Sequence, residues 1–351
     1  MMKRVRVGVC GFFDDKGALG DGQTIRTLSV TNELELALGR ESVKRVSYRD
    51  WKKRPLSLLF RLVMLECECK NLLLFPAQSA VNVLIPVTVT LKRLCGARVY
   101  YNVIGGWLPS HLTRNKWLVR YVKELDGLFV QTPRLKRDLA VLGIGKVHVF
   151  PNFKRVKMLA ESEISLAQTK PLKACFFSRV KEKKGVAEMI EVVKEINSNG
   201  VKYTLDIYGQ VSADYAGAFG EMQKHFPPFV RYMGVVDGWK ASEVIKDYFI
   251  QLFPTKFPTE GFPGSILDSF SAGVPVLASR WDSCEDVIDD GVTGLTFDFN
   301  DFEDMKDKLE RIYANPEVVT GMKIKCLERA RMLEPQAVIK IMLDVMIGGA
   351  Q

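Results

Sequence analysis

Short apolar segments of three to seven residues alternate with longer amphipathic ones along this chain, and the alternation runs twice. The first run places strands at 4–10, 43–48, 72–75, 98–103, 127–130 and 147–150, with helices near 24–38, 55–65, 80–94, 116–125 and 133–142. The second places strands at 173–177, 204–208, 230–232, 251–253, 274–278 and 295–297, again separated by helical stretches. Strand–helix–strand repetition predicts a parallel sheet covered by helices on both faces. Two such runs predict two doubly wound α/β domains, which a length of 351 residues accommodates. The join is expected in the polar stretch 154–170, giving domains 1–165 and 166–334, followed by a final helix at 335–347. Gly273 is placed to end one helix before the strand that approaches Pro275.

Charge divides along the same line. Residues 1–170 hold 29 Lys and Arg against 14 Asp and Glu, or +15. The totals of 50 and 41 leave 21 and 27 for residues 171–351, or −6. Such asymmetry predicts different partners for the two halves. Nucleic acid is not an expected partner, because the basic excess is spread over many elements and builds no recognition module. An anionic membrane is. Arg49, Lys52, Lys53 and Arg54 surround Trp51 immediately before the apolar start of the 55–65 helix. The apolar run 72–91 is interrupted by Pro76 and Pro86 and contains Gln78, Ser79 and Asn82, so it reads as strand, loop and buried helix rather than a membrane span. The N-terminus enters a strand pattern without an apolar leader, and the seven cysteines are scattered, with Cys67 and Cys69 lacking the second pair of a zinc site. Together these predict reduced, buried thiols in a cytoplasmic protein, peripheral at the inner face of the membrane.

The residues that carry chemistry cluster in the second run. Glu260 and Asp268 stand eight positions apart. Between them lie Gly261, Phe262, Pro263, Gly264 and Ser265, a loop that opens a helix. A helix N-terminus presents unpaired N–H groups and a partial positive charge that favour phosphate. The two acids can accept hydrogen bonds from hydroxyls at either end of a phosphorylated ligand, and the amides of Phe262, Gly264 and Ser265 can donate to its oxygens. Upstream, Arg179 and Lys184 lie on the loop that leaves the first strand of the second domain, before Gly185. Two cations there can offset the charge that grows on a diphosphate as it departs. Gly209 ends the next strand.

The acid pair, the Gly-Phe-Pro loop and the following Ser271-Ala272-Gly273-Val274-Pro275-Val276 segment resemble the signature of family-4 retaining glycosyltransferases of the GT-B fold. Arg179, Lys184 and Gly185 match that family's Gly-Arg … Lys-Gly segment. The resemblance covers most of the chain and is strongest over 174–298. It departs at Asp268, where the family usually has Glu, and at Ser178, where it usually has Gly. It implies two Rossmann-like domains facing a central cleft, with a last helix that commonly returns to the N-terminal domain. It also implies a nucleotide-diphosphate sugar as co-substrate, bound by the second domain. Glu260 would face the donor sugar hydroxyls and Asp268 the ribose, with Arg179 and Lys184 on the diphosphate. The reaction would retain anomeric configuration, the departing phosphate oxygen taking the acceptor proton. No Asp-x-Asp motif is present, so neither a metal nor a resident cofactor is expected.

The first half would bind the acceptor. Gly20, Asp21, Gly22 and Gln23 follow its first strand, and Gly105, Gly106 and Trp107 follow its fourth, with His111 just beyond. The first loop is not a G-x-G-x-x-G dinucleotide fingerprint, so a nicotinamide cofactor is not expected. Both loops look like those of bacterial capsule and exopolysaccharide glycosyltransferases. The reading is therefore transfer of a hexose-type sugar to a lipid-linked or growing glycan in cell-surface polysaccharide synthesis. A nucleotide-sugar epimerase is one alternative, which the basic first half disfavours. A non-catalytic sugar-nucleotide or glycan-binding protein is the other, kept open by Asp268 and Ser178.

Overall fold

The computed structural model describes residues 5–13, 22–49, 51–166 and 169–348. The chain divides into two compact units, Met1–Asn152 with Pro335–Gln351, and Phe153–Glu334. The division thus falls at 152/153 rather than at the expected 165/166, and the segment 153–166 belongs to the second unit.

In the first unit the elements follow as β1 (Val5–Gly11), α1 (Gly22–Leu38), β2 (Val43–Ser47), α2 (Pro55–Glu68), β3 (Cys69–Leu74), α3 (Val81–Cys95) and β4 (Arg98–Asn102). They continue as α4 (Leu108–Arg114), α5 (Lys116–Lys123), β5 (Gly127–Val130), α6 (Pro133–Val141) and β6 (Val147–Val149). The strands form one parallel six-stranded sheet in the order β2-β1-β3-β4-β5-β6. Residues such as Val7, Val9, Leu72, Leu74, Val99 and Tyr101 are fully buried, as expected of strands covered on both faces. Local chemistry sets the helix ends. Thr132 accepts a hydrogen bond from the Leu135 amide at the start of α6, with Pro133 at its first position. Gly96, at φ 70°, ends α3 in the left-handed region. Pro86 lies inside α3.

The second unit runs β7 (Leu172–Phe177), α7 (Val186–Ile196), β8 (Tyr203–Tyr208), α8 (Ala216–Lys224), β9 (Val230–Gly234), α9 (Ala241–Ile245) and β10 (Ile250–Phe253). It continues α10 (Gly264–Ser271), β11 (Val276–Ser279), α11 (Cys284–Val287), β12 (Gly294–Phe297), α12 (Phe302–Ala314) and α13 (Glu317–Arg331). Its parallel sheet has the order β12-β11-β10-β7-β8-β9. The last helix, α14 (Pro335–Met346), packs on α1 of the first unit, and Arg98 donates to the Met346 carbonyl at 2.7 Å.

Two expectations are corrected. No helix was expected between 103 and 116, yet Leu108–Arg114 is helical; Leu108 and Leu112, one turn apart, are both buried in the core of the first unit and hold that turn. The cysteines are not all reduced: Cys67 at the end of α2 and Cys95 at the end of α3 form a disulfide, while Cys10, Cys69, Cys175, Cys284 and Cys326 are outside any disulfide and buried. The two half-cystines are 28 positions apart, and only the packing of α2 against α3 brings them together. Among the described residues no helix is long and apolar enough to cross a membrane.

Candidate functional site

A doubly wound parallel sheet offers a crevice where two neighbouring strands send their connections to opposite sides. In the second unit this point lies between β7, whose chain goes on to β8, and β10, whose chain goes on to β11. The loops leaving these two strands carry the predicted donor residues. Gly185 follows the β7 loop at φ 70°, and a Cβ there would lie 2.1 Å from the Pro254 carbonyl oxygen just after β10. Only glycine lets the two backbones approach so closely. That contact sets Lys184 beside Glu260, and the two side chains form an ion pair. Thr255 donates from Oγ1 to Glu260 Oε1 at 3.1 Å, and the Lys184 ammonium lies 5.0 Å from the Phe253 ring centroid and 5.5 Å from that of Phe257. Lys184 and Glu260 keep 13% and 17% of their side-chain surface. The pair is recessed but reachable.

Arg179 is half-buried on the same loop. Gly209, at φ 135°, closes the crevice on the β8 side: a Cβ there would lie 1.9 Å from the Ser178 carbonyl oxygen. Gly261 and Phe262 are buried, Phe262 in the apolar cluster with Phe253, Ile266 and Phe270, and this packing anchors the loop. Pro263 starts α10 without a side-chain cap, while Gly264 and Ser265 are partly exposed at its first turn. Their amides point along the helix axis toward any ligand at its N-terminus.

Asp268 is held differently. It sits one turn inside α10 with 3% of its side-chain surface exposed, and Lys154 Nζ donates to both its carboxylate oxygens at 2.7 Å. Burial pushes the Asp268 carboxyl above the ordinary carboxylate range, and Lys154 pulls it back down. Each acid of the predicted pair therefore has a lysine of its own. Lys154 carries no signal in the sequence; it lies 114 positions from its partner, in the segment expected to be a linker. Thr255 was equally silent, a lone Thr after an apolar strand.

In the first unit the corresponding switch point lies between β1 and β3. Gly20 and Asp21 lie outside the described residues; Gly22 and Gln23 begin α1, and Gln23 Nε2 donates to the Phe75 carbonyl just after β3, tying the start of α1 to the end of that strand. Gly105, at φ 77°, donates its N–H to Gln131 Oε1 at 3.2 Å. Trp107 donates from its indole to the Ile104 carbonyl at 2.8 Å and packs partly buried on the core, with its ring at 87° to that of His111. His111 is buried, and its Nε2 lies 2.8 Å from Asn82 Oδ1. Burial, then Arg114, holds its pKa below the ordinary value. Trp107 and His111 thus form one anchored unit beside the Gly105–Gly106 loop. Among the described residues, no group of three or more His, Cys, Asp or Glu is arranged to hold a metal ion.

Residues 171–315 match the family model described as glycosyl transferases group 1. An uncharacterized 41.2 kDa protein in the cps region of Klebsiella pneumoniae is 29% identical over 147 residues, 42% of this chain and 37% of that protein. The match spans little more than a third of that relative's length. Among solved structures, Anabaena HepE in complex with UDP superposes with a TM-score of 0.77 at 12% identity, covering 98% of this chain and 100% of that one. Sucrose-phosphate synthase from Thermosynechococcus elongatus gives 0.75 at 14%, covering 99% and 100%. The lipopolysaccharide outer core galactosyltransferase WaaB gives 0.72 at 14%, covering 98% and 100%. The fold is GT-B.

Proposed function

With a glycosyl transferases group 1 domain over residues 171–315 on a GT-B fold, we propose that this chain is a retaining, metal-independent glycosyltransferase of capsule or exopolysaccharide synthesis. It moves a hexose-type sugar from a nucleotide-diphosphate donor to a lipid-linked or growing glycan. The observation that carries this reading is the Lys184–Glu260 pair between the β7 and β10 loops. A cation for diphosphate and an acid for sugar hydroxyls stand in contact, as the two halves of a sugar diphosphate are. When the glycosidic bond breaks, negative charge moves onto the diphosphate, where Arg179, Lys184 and the first-turn amides of α10 stabilise it. Glu260 accepts hydrogen bonds from the donor sugar and orients it. The acceptor hydroxyl loses its proton to the departing phosphate oxygen, so the chain needs no separate base, and His111, engaged by Asn82, is not assigned one.

An acceptor at a lipid surface is supported by α2. Leu58, Leu62 and Leu65 face the core, whereas Leu56 is 79% and Phe60 67% exposed, with Leu59 and Met64 also outward. Lys52, Lys53, Arg54 and Arg61 are exposed around them. Apolar side chains rimmed by cations complement an anionic bilayer. Charge reversal of Lys52, Lys53 and Arg54 is expected to release the protein from phosphatidylglycerol vesicles; retained binding removes this surface from the proposal.

HepE was solved with UDP, so UDP and its sugar conjugates lead the test. A ligand that binds the native state raises the unfolding midpoint. A shift by one nucleotide diphosphate that disappears in Arg179→Ala supports the donor site. No shift with any of them favours a non-catalytic glycan-binding protein.

A further inference from the structure

Asp268 is the acid expected to meet the ribose, yet the structure leaves it little means to do so. Its carboxylate is buried, and both oxygens already accept from Lys154 at 2.7 Å. The surface of the pair belongs to the lysine, which keeps 25% of its side chain exposed. An ammonium carries three N–H donors. Two are directed at Asp268, and one remains for another acceptor. Gly238, in the turn before α9, lies beside the ammonium; a Cβ there would make only ordinary contact with the Lys154 nitrogen, at 3.8 Å. The pair as a whole is neutral, unlike the Arg179 and Lys184 loop. It therefore suits an uncharged acceptor such as a hydroxyl oxygen better than a phosphate.

We propose that Lys154 is the specificity-determining contact to the ribose hydroxyls of the nucleoside diphosphate, and that Asp268 is a positioning residue acting through Lys154. This rests on the donor-site reading above. The shorter Asp is then no defect. Where a Glu would reach the ribose itself, Asp stops one methylene short and holds a lysine that completes the distance. A buried carboxylate is what fixes an otherwise flexible four-carbon side chain in one orientation.

Calorimetric titration of the full chain with UDP and with its 2′-deoxy and 3′-deoxy analogues tests this. The parent is expected to prefer UDP over at least one deoxy analogue by about tenfold, since a site built to pair a hydroxyl rejects the ligand lacking it. Lys154→Met is expected to erase that preference and Asp268→Asn to keep part of it. Because Lys154→Met leaves a buried carboxylate alone, the double variant Lys154→Met, Asp268→Asn is compared with Asp268→Asn, and the loss must appear there too. Lys154→Arg is expected to restore part of it. The reverse pattern, preference lost in Asp268→Asn and kept in Lys154→Met, overturns the proposal, as does a parent that binds all three equally. If the parent binds UDP and Arg179→Ala does not, that failure leaves the donor site standing. A parent that binds none of the three, nor any other nucleoside diphosphate, overturns both.

Discussion

Two acid–lysine pairs within one unit have the same composition and opposite circumstances. Lys184 and Glu260 are both partly exposed, and each reaches the other from a loop at the switch point between β7 and β10. Lys154 and Asp268 are unequal: the acid is buried in the second turn of a helix, and the lysine is a quarter exposed. In the first pair each partner keeps some surface, so either can turn to a ligand without the other being sealed in the core. A half-buried pair is costly to break from one side. The first pair is thus built to be opened by a substrate, and the second to stay closed and hold a shape.

The largest expected effect follows from opening the first pair. Lys184→Ala, and separately Arg179→Ala, should lower the transfer rate by on the order of 100- to 1,000-fold, the usual consequence of removing one group that stabilises developing charge. Unfolding midpoints should barely move. Near-normal turnover in both variants would take the diphosphate role away from this loop. The backbone that assembles it is tested by Gly209→Ala. A Cβ there would lie 1.9 Å from the Ser178 carbonyl oxygen at φ 135°, so a cost of about 3 kcal/mol in denaturant unfolding is expected.

The second pair makes an asymmetric prediction. Lys154→Ala strands a carboxylate that is 3% exposed and should cost about 3 kcal/mol. Asp268→Ala strands only a lysine able to swing into solvent and should cost about 1 kcal/mol. Equal costs, measured by urea unfolding, would mean that Lys154 is as confined as its partner.

The legibility of these features in the sequence follows the range of the forces that make them. Strand and helix alternation depends on neighbours a few residues away, so β5 appears at its expected bounds and β1, β2 and β4 within a residue of theirs. The loop chemistry of Glu260, Lys184 and Gly209 was visible because glycines and charges sit at strand ends, where open sheets gather ligands. Lys154 was not, because its meaning comes from Asp268, 114 positions away. The Cys67–Cys95 disulfide was hidden for the same reason: two scattered cysteines say nothing until α2 and α3 are packed together. Helix α4 was missed because Gly105, Gly106 and Pro109 signal a loop, whereas burial of Leu108 and Leu112 overrides them.

A third acid sharpens the comparison, because it has burial without a lysine in contact. Glu66, in the last turn of α2, is completely buried, and neither carboxylate oxygen has a hydrogen-bond partner among the described residues. Burial raises its pKa from an ordinary 4.5 to about 8, a rise that the field of Lys92 only partly offsets. The folded protein therefore keeps this proton at pH values where the unfolded chain has released it. Its contribution to stability is complete below about 4.5 and is lost as pH rises toward about 8. Denaturant unfolding should show the parent losing about 2 kcal/mol across that window through this group, a value set below the full linkage limit to allow for local relaxation. In Glu66→Met the loss should vanish, so the variant gains on the parent at pH 8 and stays close to it at pH 5. A gain of the same size at both pH values would mean that Glu66 is ionised in the fold and that some group reaches it, which would make it a pair of the Asp268 kind rather than a buried neutral acid.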